Sequence, residues 1–338
     1  MRRLFQVVLL AIVFAAVPAL ADEPSTDAVT MLEPVVVVGS VPGPGLWQVQ
    51  AENGHVLWVF GTLSPLPRDI DWEADEAKAR LASASMLLLP PGMTVKAKGG
   101  FFSTLGLLPK LIGMRKDPEK ERLAELLPPE LLARWQRLKA LYMPRNRKVE
   151  KFRPFFAGWE LYSAAVDAAG LQNRDAASKV LRRYAKKKKV PLQSSSFALT
   201  LDEPKQALAE FRATRMDDTA CFAEVLDLIE FRLPQVQQMA NAWAMGDVDT
   251  LAEHYRQRWV MACADAISGA DFAHSQGLDD IPAKIREAWL EAAEKTLAEH
   301  ETGFALLPMG NILGQDSFLD TLQARGYTIV PPESDGED

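Results

Sequence analysis

Histidine and cysteine are scarce: four and two respectively in a chain of 338 residues. So few imidazoles and thiols leave little material for a dense metal site, and neither an HExxH nor a paired CxxC spacing occurs. The missing CxxC also argues against a redox dithiol. Positive charge is not in surplus either. Against 45 Asp and Glu stand 38 Lys and Arg, a formal net charge of -7, whereas binding to a phosphate backbone rests on clustered cations. Nucleic acid is therefore excluded as the main partner. With 48% apolar residues the composition is that of a globular protein able to bury a sizeable core, not of a disordered or collagen-like chain.

The start of the chain has the pattern of an export signal. Arg2 and Arg3 precede an apolar stretch over residues 4–17, and Ala19-Leu20-Ala21 forms a small-x-small cleavage site. The apolar run is about 14 residues before Pro18, short of the roughly 20 that span a bilayer core. No Cys follows the site, and no later segment is long and apolar enough to span. Residues 1–21 are thus expected to be a removed signal peptide, leaving a periplasmic or secreted mature chain with no membrane span. In such an oxidising compartment thiols tend to pair. Cys221 and Cys263 are the only candidates, and a bridge between them is expected, the alternative being two buried free thiols.

Along the mature chain, residues 22–45 read as a leader or linker ending in the turn-rich Pro42-Gly43-Pro44-Gly45. Two apolar runs follow, Leu46-Trp47-Gln48-Val49-Gln50 and Val56-Leu57-Trp58-Val59-Phe60, separated by Asn53-Gly54, a strong hairpin signal. The second run is apolar on both faces, as a central strand is. Pro65 and Pro67 end it. A helix over about 71–84 and a short strand Met86-Leu87-Leu88-Leu89 complete a parallel strand, helix, strand unit. Most of 117–188 and 202–301 has helical periodicity, with Gly246-Asp247 as a helix stop and a new N-cap. Val190-Pro191-Leu192 fits a strand only at an edge or a start. Strand character returns at Phe304-Ala305-Leu306-Leu307 and Tyr327-Thr328-Ile329-Val330, around a helix at about 316–325. The expected fold is α/β: a mixed β-sheet core over 46–331, built from the N- and C-terminal parts, with a large helical insertion at about 115–300 and an acidic tail at 332–338.

Three loops follow predicted core strands: Gly61-Thr62-Leu63-Ser64, Pro90-Pro91-Gly92 and Pro308-Met309-Gly310-Asn311. Ligands of open α/β sheets bind beyond the carboxyl ends of strands, so these loops are the natural rim of a site. Gly61 and Gly310 would let a bound group approach the backbone closely. The bland alternative is that all three merely end strands. None carries an acid, a base or a metal ligand, and Ser64 has no His beside it on its loop to activate it. His55 lies at a strand start, while His254, His274 and His300 lie on or near helices; all four read as surface or packing residues. Lys186, Lys187, Lys188 and Lys189 read as a solvated helix end, the tryptophans as core, and Asp217-Asp218 and Asp279-Asp280 as helix N-terminal acids.

The first motif, Leu46-Trp47-x-Val49 followed by Leu57-Trp58-Val59-Phe60-Gly61-Thr62-Leu63-Ser64-x-Leu66-Pro67, resembles the opening of the TraB/GumN proteins, relatives of the Tiki proteases. Ala242-Trp243-x-x-Gly246-Asp247-x-x-x-Leu251 and Leu322-x-x-Arg325-Gly326-Tyr327-Thr328-Ile329 extend the likeness, so that it covers about 45–331. The resemblance implies a metal-dependent hydrolase fold with His at the end of the first motif, Glu after the second strand and His in the late strand-turn motif. Here those places hold Ser64, Pro90 and Asn311. A further family Glu falls near Ser195 or Ser196, and a family Arg matches Arg256 or Arg258. Hydroxyls, an amide and a proline do not replace imidazole and carboxylate as cation ligands or proton carriers. The expectation is an exported protein that keeps the fold, binds no metal or cofactor, and acts as a binding or accessory protein for an unknown envelope ligand or protein. Gly61, Thr62, Ser64, Pro90, Gly310 and Asn311 are its candidate cleft positions. The alternatives are a peptidase- or esterase-type hydrolase rebuilt around Ser64 and Asn311, and a structural envelope partner.

Overall fold

A computed structural model describes residues 43–98, 113–119, 121–173, 175–214, 217–255, 263, 280–315 and 317–332. A six-stranded mixed sheet lies at its centre, in the order β10 (Thr328–Val330), β1 (Leu46–Gln50), β2 (Val56–Thr62), β9 (Thr302–Pro308), β4 (Leu87–Leu88), β7 (Leu192–Gln193). The β1–β2 hairpin forms around Asn53-Gly54, with Gly54 at φ 83, where a side chain would be strained. Parallel pairing joins β2 to β9, β9 to β4 and β4 to β7. The expected parallel relation of β2 and β4 is therefore present, but they are not neighbours: β9, nearly 250 residues further along, lies between them. That position suits its residues, since Phe304, Ala305, Leu306 and Leu307 are all buried. Edge strand β7 begins just after Pro191, whose carbonyl accepts from Leu87 N at 2.8 Å.

Helix α1 (Asp75–Ser83) buries Ala77 and Leu81 on one face. The middle of the chain adds α2 (Pro129–Tyr142), α3 (Pro154–Ala168), α4 (Ala176–Lys188), α5 (Pro204–Ala213), α6 (Thr219–Asp227), α7 (Val236–Ala244), α8 (Val248–Tyr255) and α9 (Ile281–Glu299). After β9 come α10 (Met309–Leu313) and α11 (Phe318–Ala324). The capping chemistry is local. Asp175 accepts from Ser178 N, Asp280 from Ala283 N and Ser317 from Asp320 N, each satisfying a first-turn donor. Gly246, at φ 72, ends α7, and Asp247 starts α8 by accepting from Thr250 N at 3.0 Å.

The helical middle divides between two cores. Helices α4, α7, α8 and α9 supply Leu181, Trp243, Leu251 and Trp289 to the core around the sheet. Helices α2, α3 and α6 build a second core around Trp135, Leu161, Phe222 and Leu226. A strand pair not expected from the sequence, β5 (Gly92–Ala97) with β8 (Ser196–Leu201), runs parallel outside the main sheet, and β3 (Leu66–Pro67) pairs with β6 (Leu171–Gln172). Trp135, Trp243 and Trp289 are fully buried, as a core reading of tryptophan requires; among the described residues Trp58 and Trp72 are half-buried and Trp159, at 54% exposure, departs from it. Among the described residues no helix is long and apolar enough to cross a membrane.

Cys221, buried in α6, is disulfide-bonded to Cys263, 42 residues later. The bridge staples the second core. Under the chain-entropy account a loop of this size is worth about 4 kcal/mol. Reduction under denaturing conditions should raise the mass of the chain by two hydrogens, and the double variant Cys221→Ser/Cys263→Ser should lose up to about 4 kcal/mol in urea unfolding. An unchanged mass would show that the pair is not bonded.

Candidate functional site at the carboxyl edge of the sheet

Because β2, β9, β4 and β7 are parallel, their chains leave the sheet at one edge. The register sets Gly61 against Leu307 and Thr62 against Pro308, while Leu88 lies between Ala305 and Gln193. The segments carrying Gly61, Thr62, Ser64, Pro90, Gly310 and Asn311 thus emerge on the same side. Thr62 is buried, Pro90 and Asn311 are half-buried, and Ser64 and Gly310 are exposed. A fourth strand end joins them. The buried Ser195 hydroxyl sits 2.6 Å from Leu89 O, to which it donates, and 3.2 Å from Pro90 O. Ser195, not Ser196, is therefore the residue beside Pro90; Ser196 has moved on into β8, opposite Gly92.

One expectation is corrected at Gly61. Its missing side chain leaves no opening for a bound group. A Cβ there would lie 2.6 Å from Met309 Sδ and 3.0 Å from Trp47 Cζ3, so the glycine admits these two side chains against the strand. Its carbonyl is engaged as well: the buried Trp243 indole donates to Gly61 O at 2.8 Å. The Trp243 and Gly246-Asp247 segments therefore close over the edge from the helical side. Phe60, Trp72 and Trp243 continue that cover, with ring centroids between 5.4 and 6.2 Å apart.

Beside Gly310 lie Tyr255 and, next to it, His254, one of the four histidines expected to be surface or packing residues. A Cβ on Gly310 would lie 3.3 Å from Tyr255 Cε1. His254, the preceding residue on α8, stands edge-on to Tyr255 and pairs through Nε2 with Arg232 Nη1. Arg232 ends a single turn of π-helix, Leu228–Arg232, the type of irregularity that often re-aims a side chain. Glu230 anchors that turn by accepting from Arg134 at 2.6 Å and from Arg137. Burial and the adjacent Arg232 hold the His254 imidazole down at about 4, so it is neutral at pH 7. Burial pushes the Tyr255 phenol up to about 12. A neutral imidazole that receives the guanidinium proton at Nε2 carries its own proton on Nδ1, and its lone pair is already committed. It is a poor general base where it stands. The signal for this cluster was the i, i+4 step from buried Leu251 to Tyr255; nothing in the sequence pointed to the π turn that delivers Arg232. His274, Asp279, Arg256 and Arg258 lie outside the described residues, while His55 bonds Leu297 O at 2.7 Å and His300 follows α9.

The six-stranded order and this set of strand-end loops are accompanied by a match of one family model, the TraB/PrgY/gumN family, over residues 45–331. The chain belongs to the TraB/PrgY/gumN family. No curated protein and no solved structure gives a significant match. The donor set of this TraB/PrgY/gumN chain does not fit a divalent cation at the sheet edge: Ser64 and Asn311 offer neutral oxygens, Pro90 offers no side-chain donor atom, and the Ser195 hydroxyl is turned onto backbone carbonyls. Among the described residues, no group of three or more His, Cys, Asp or Glu is placed to hold a metal ion.

The His254 environment predicts a pH dependence. Its folded pKa of about 4 lies below the ordinary 6.5, so the unfolded chain binds more protons between those values, and stability should fall as pH drops from 6.5 towards 4. Glu230 acts lower. Despite opposing desolvation, its hydrogen bonds to Arg134 and Arg137 hold its carboxyl below 4.5, and that stabilisation is lost as pH falls through its folded value. Urea unfolding across this range should show the upper limb in the native chain and lose it in His254→Gln. An identical limb in both would place the titration elsewhere.

Proposed function

We propose that this member of the TraB/PrgY/gumN family is an exported binding or accessory protein of the cell envelope, one that keeps the family fold and has lost metal-dependent hydrolase chemistry. The observation that carries the reading is the chemistry of the four strand ends. Ser64, Pro90, Asn311 and one of Ser195 and Ser196 stand where the resemblance calls for imidazoles and carboxylates, and the buried Ser195 hydroxyl braces Leu89 and Pro90. The packed surroundings of Gly61 support the same reading, since Met309, Trp47 and Trp243 use the approach that a reacting group would need. What remains at the edge is the exposed Ser64 and Gly310 with the half-buried Asn311. These are hydrogen-bonding groups of low reactivity, suited to the amides of a peptide or the hydroxyls of a polysaccharide.

The export part of the proposal rests on the basic, apolar and small-residue succession in residues 1–21, and the Cys221–Cys263 bridge is the kind of covalent staple favoured in an oxidising compartment. A second reading, a rebuilt serine hydrolase, is favoured by the exposure of Ser64 at the same edge as Gly310. Among the described residues it lacks an activating imidazole, because His254, brought close to that edge, has its lone pair engaged by Arg232.

The protein recovered from the envelope fraction should begin at Asp22; recovery of an N-terminus at Met1 would overturn export by cleavage. That mature protein, supplied with Mn, Co or Zn and a panel of peptide and ester substrates, should give no turnover above its Ser64→Ala variant. Metal-dependent turnover abolished by Asn311→Ala would overturn the loss of hydrolase chemistry, and metal-independent turnover abolished by Ser64→Ala would establish the second reading.

A further inference from the structure

In a chain whose acids outnumber its bases by 45 to 38, helix α4 reverses the balance. Ala176–Lys188 contains no Asp or Glu and six Lys or Arg, and Lys189 follows as its C-cap. The helical period sorts these residues into two faces. Ala177, Leu181 and Ala185 are buried and seat the helix in the core around the sheet. Lys179, Arg182, Arg183, Lys186 and Lys187 stand at i, i+3, i+4, i+7 and i+8, all exposed, and form one stripe on the opposite side.

Two ordinary explanations cover only part of this stripe. Positive charge offsets the dipole at a helix carboxyl end, which suits Lys186, Lys187 and Lys188, but the effect fades beyond the last turn and does not reach Lys179, Arg182 or Arg183. Ion pairing does not explain it either, since among the described residues no carboxylate pairs with any of the five. Helix α1 packs against α4, yet its Asp75 and Glu76 are engaged by its own Lys78 at 2.9 Å and Arg80 at 3.5 Å. Like charges at these spacings repel one another, a cost that an opposing anionic surface relieves. The form of the stripe selects that surface. It is straight and about 12 Å long by the helical rise. Packed against the body along its other side, α4 is not free to enter a nucleic-acid groove, and its one aromatic ring, Tyr184, is covered by Lys188 at 5.7 Å and not open to base stacking. A plane of anionic headgroups meets all five cations at once and needs no groove.

We propose that the basic face of α4 docks this protein on a bilayer surface rich in anionic phospholipid. The attachment is peripheral and electrostatic, because the apolar side of the helix is already used in the core. The basic end of α4 leads into the start of β7, at the sheet edge opposite the strand ends that carry Ser64 and Asn311. Docking therefore uses none of the strand-end residues and does not depend on the function proposed for them.

Cosedimentation of the mature protein, which lacks the apolar stretch 4–17, tests this with vesicles of equal phosphatidylglycerol and phosphatidylethanolamine against vesicles of phosphatidylcholine. Binding is expected to the anionic vesicles only, with release at about 0.5 M salt, where exposed charges are screened within a few ångströms. The variant Arg182→Gln/Arg183→Gln/Lys186→Gln/Lys187→Gln alters exposed side chains only, so it should melt no lower than the native chain and bind the anionic vesicles about tenfold or more weakly. A control with the same change in net charge at scattered exposed positions, Arg147→Gln/Lys151→Gln/Lys205→Gln/Lys295→Gln, should bind as the native chain does. A short DNA duplex at matched phosphate concentration should bind more weakly than the anionic vesicles. No binding to the anionic vesicles, equal binding to phosphatidylcholine, an equal loss in the control, indifference to the α4 variant, or tighter binding of the duplex would each overturn the proposal.

Discussion

Everything at the carboxyl edge of the sheet depends on β9 lying between β2 and β4. Those three strands come from opposite ends of the described chain, and their parallel register is what puts the loops after Thr62, Leu88 and Pro308 side by side. The requirement is physical as well as topological. Phe304, Ala305, Leu306 and Leu307 are apolar on both faces and need cover on both, which only a central position supplies. The intervening chain must then fold back on itself, and it does so as helices, some covering the sheet and some forming a core of their own that the Cys221–Cys263 bridge closes.

The edge so formed is closely packed and carries neutral side chains. Glycine at position 61 permits Met309 and Trp47 to pack against the strand, and the Trp243 indole satisfies the carbonyl that this close packing removes from water. On the other side, the π turn ending in Arg232 meets His254 and Tyr255 next to Gly310. An imidazole is thus close to the edge without being available to it. Its neutral form is favoured by burial and by the neighbouring guanidinium, and the same guanidinium occupies the lone pair that proton abstraction would require.

Much of this was legible in the amino-acid order. Whereas the pairing of the two cysteines was expected from an oxidising compartment, the Asn53-Gly54 hairpin, the doubly apolar second strand, the Gly246-Asp247 helix boundary and the short strand after Pro191 follow from local chemistry. So do the three loops at the edge, because each is defined by where a strand must stop. What could not be read depended on distant partners. The β5–β8 pair joins residues about a hundred positions apart, and Met93 and Val95, at 42% and 52% exposure, give it no buried face to betray it. The contact of the Ser195 hydroxyl with Leu89 O and Pro90 O, and the division of the helices between two cores, became visible only through tertiary contact. The filling of the space beside Gly61 reversed its expected openness, since the same small residue serves either a ligand or a packed side chain.

The account turns on the strand-end residues being unable to grip a divalent cation. Metal content of the mature protein, measured by elemental mass spectrometry after equilibration with Mn, Co and Zn and exhaustive dialysis, tests this most directly. The native chain should retain far less than one metal per molecule, and the variant Ser64→His/Pro90→Glu/Asn311→His should retain more. One tightly held metal per native chain, released by Ser64→Ala or Asn311→Ala, would contradict the account.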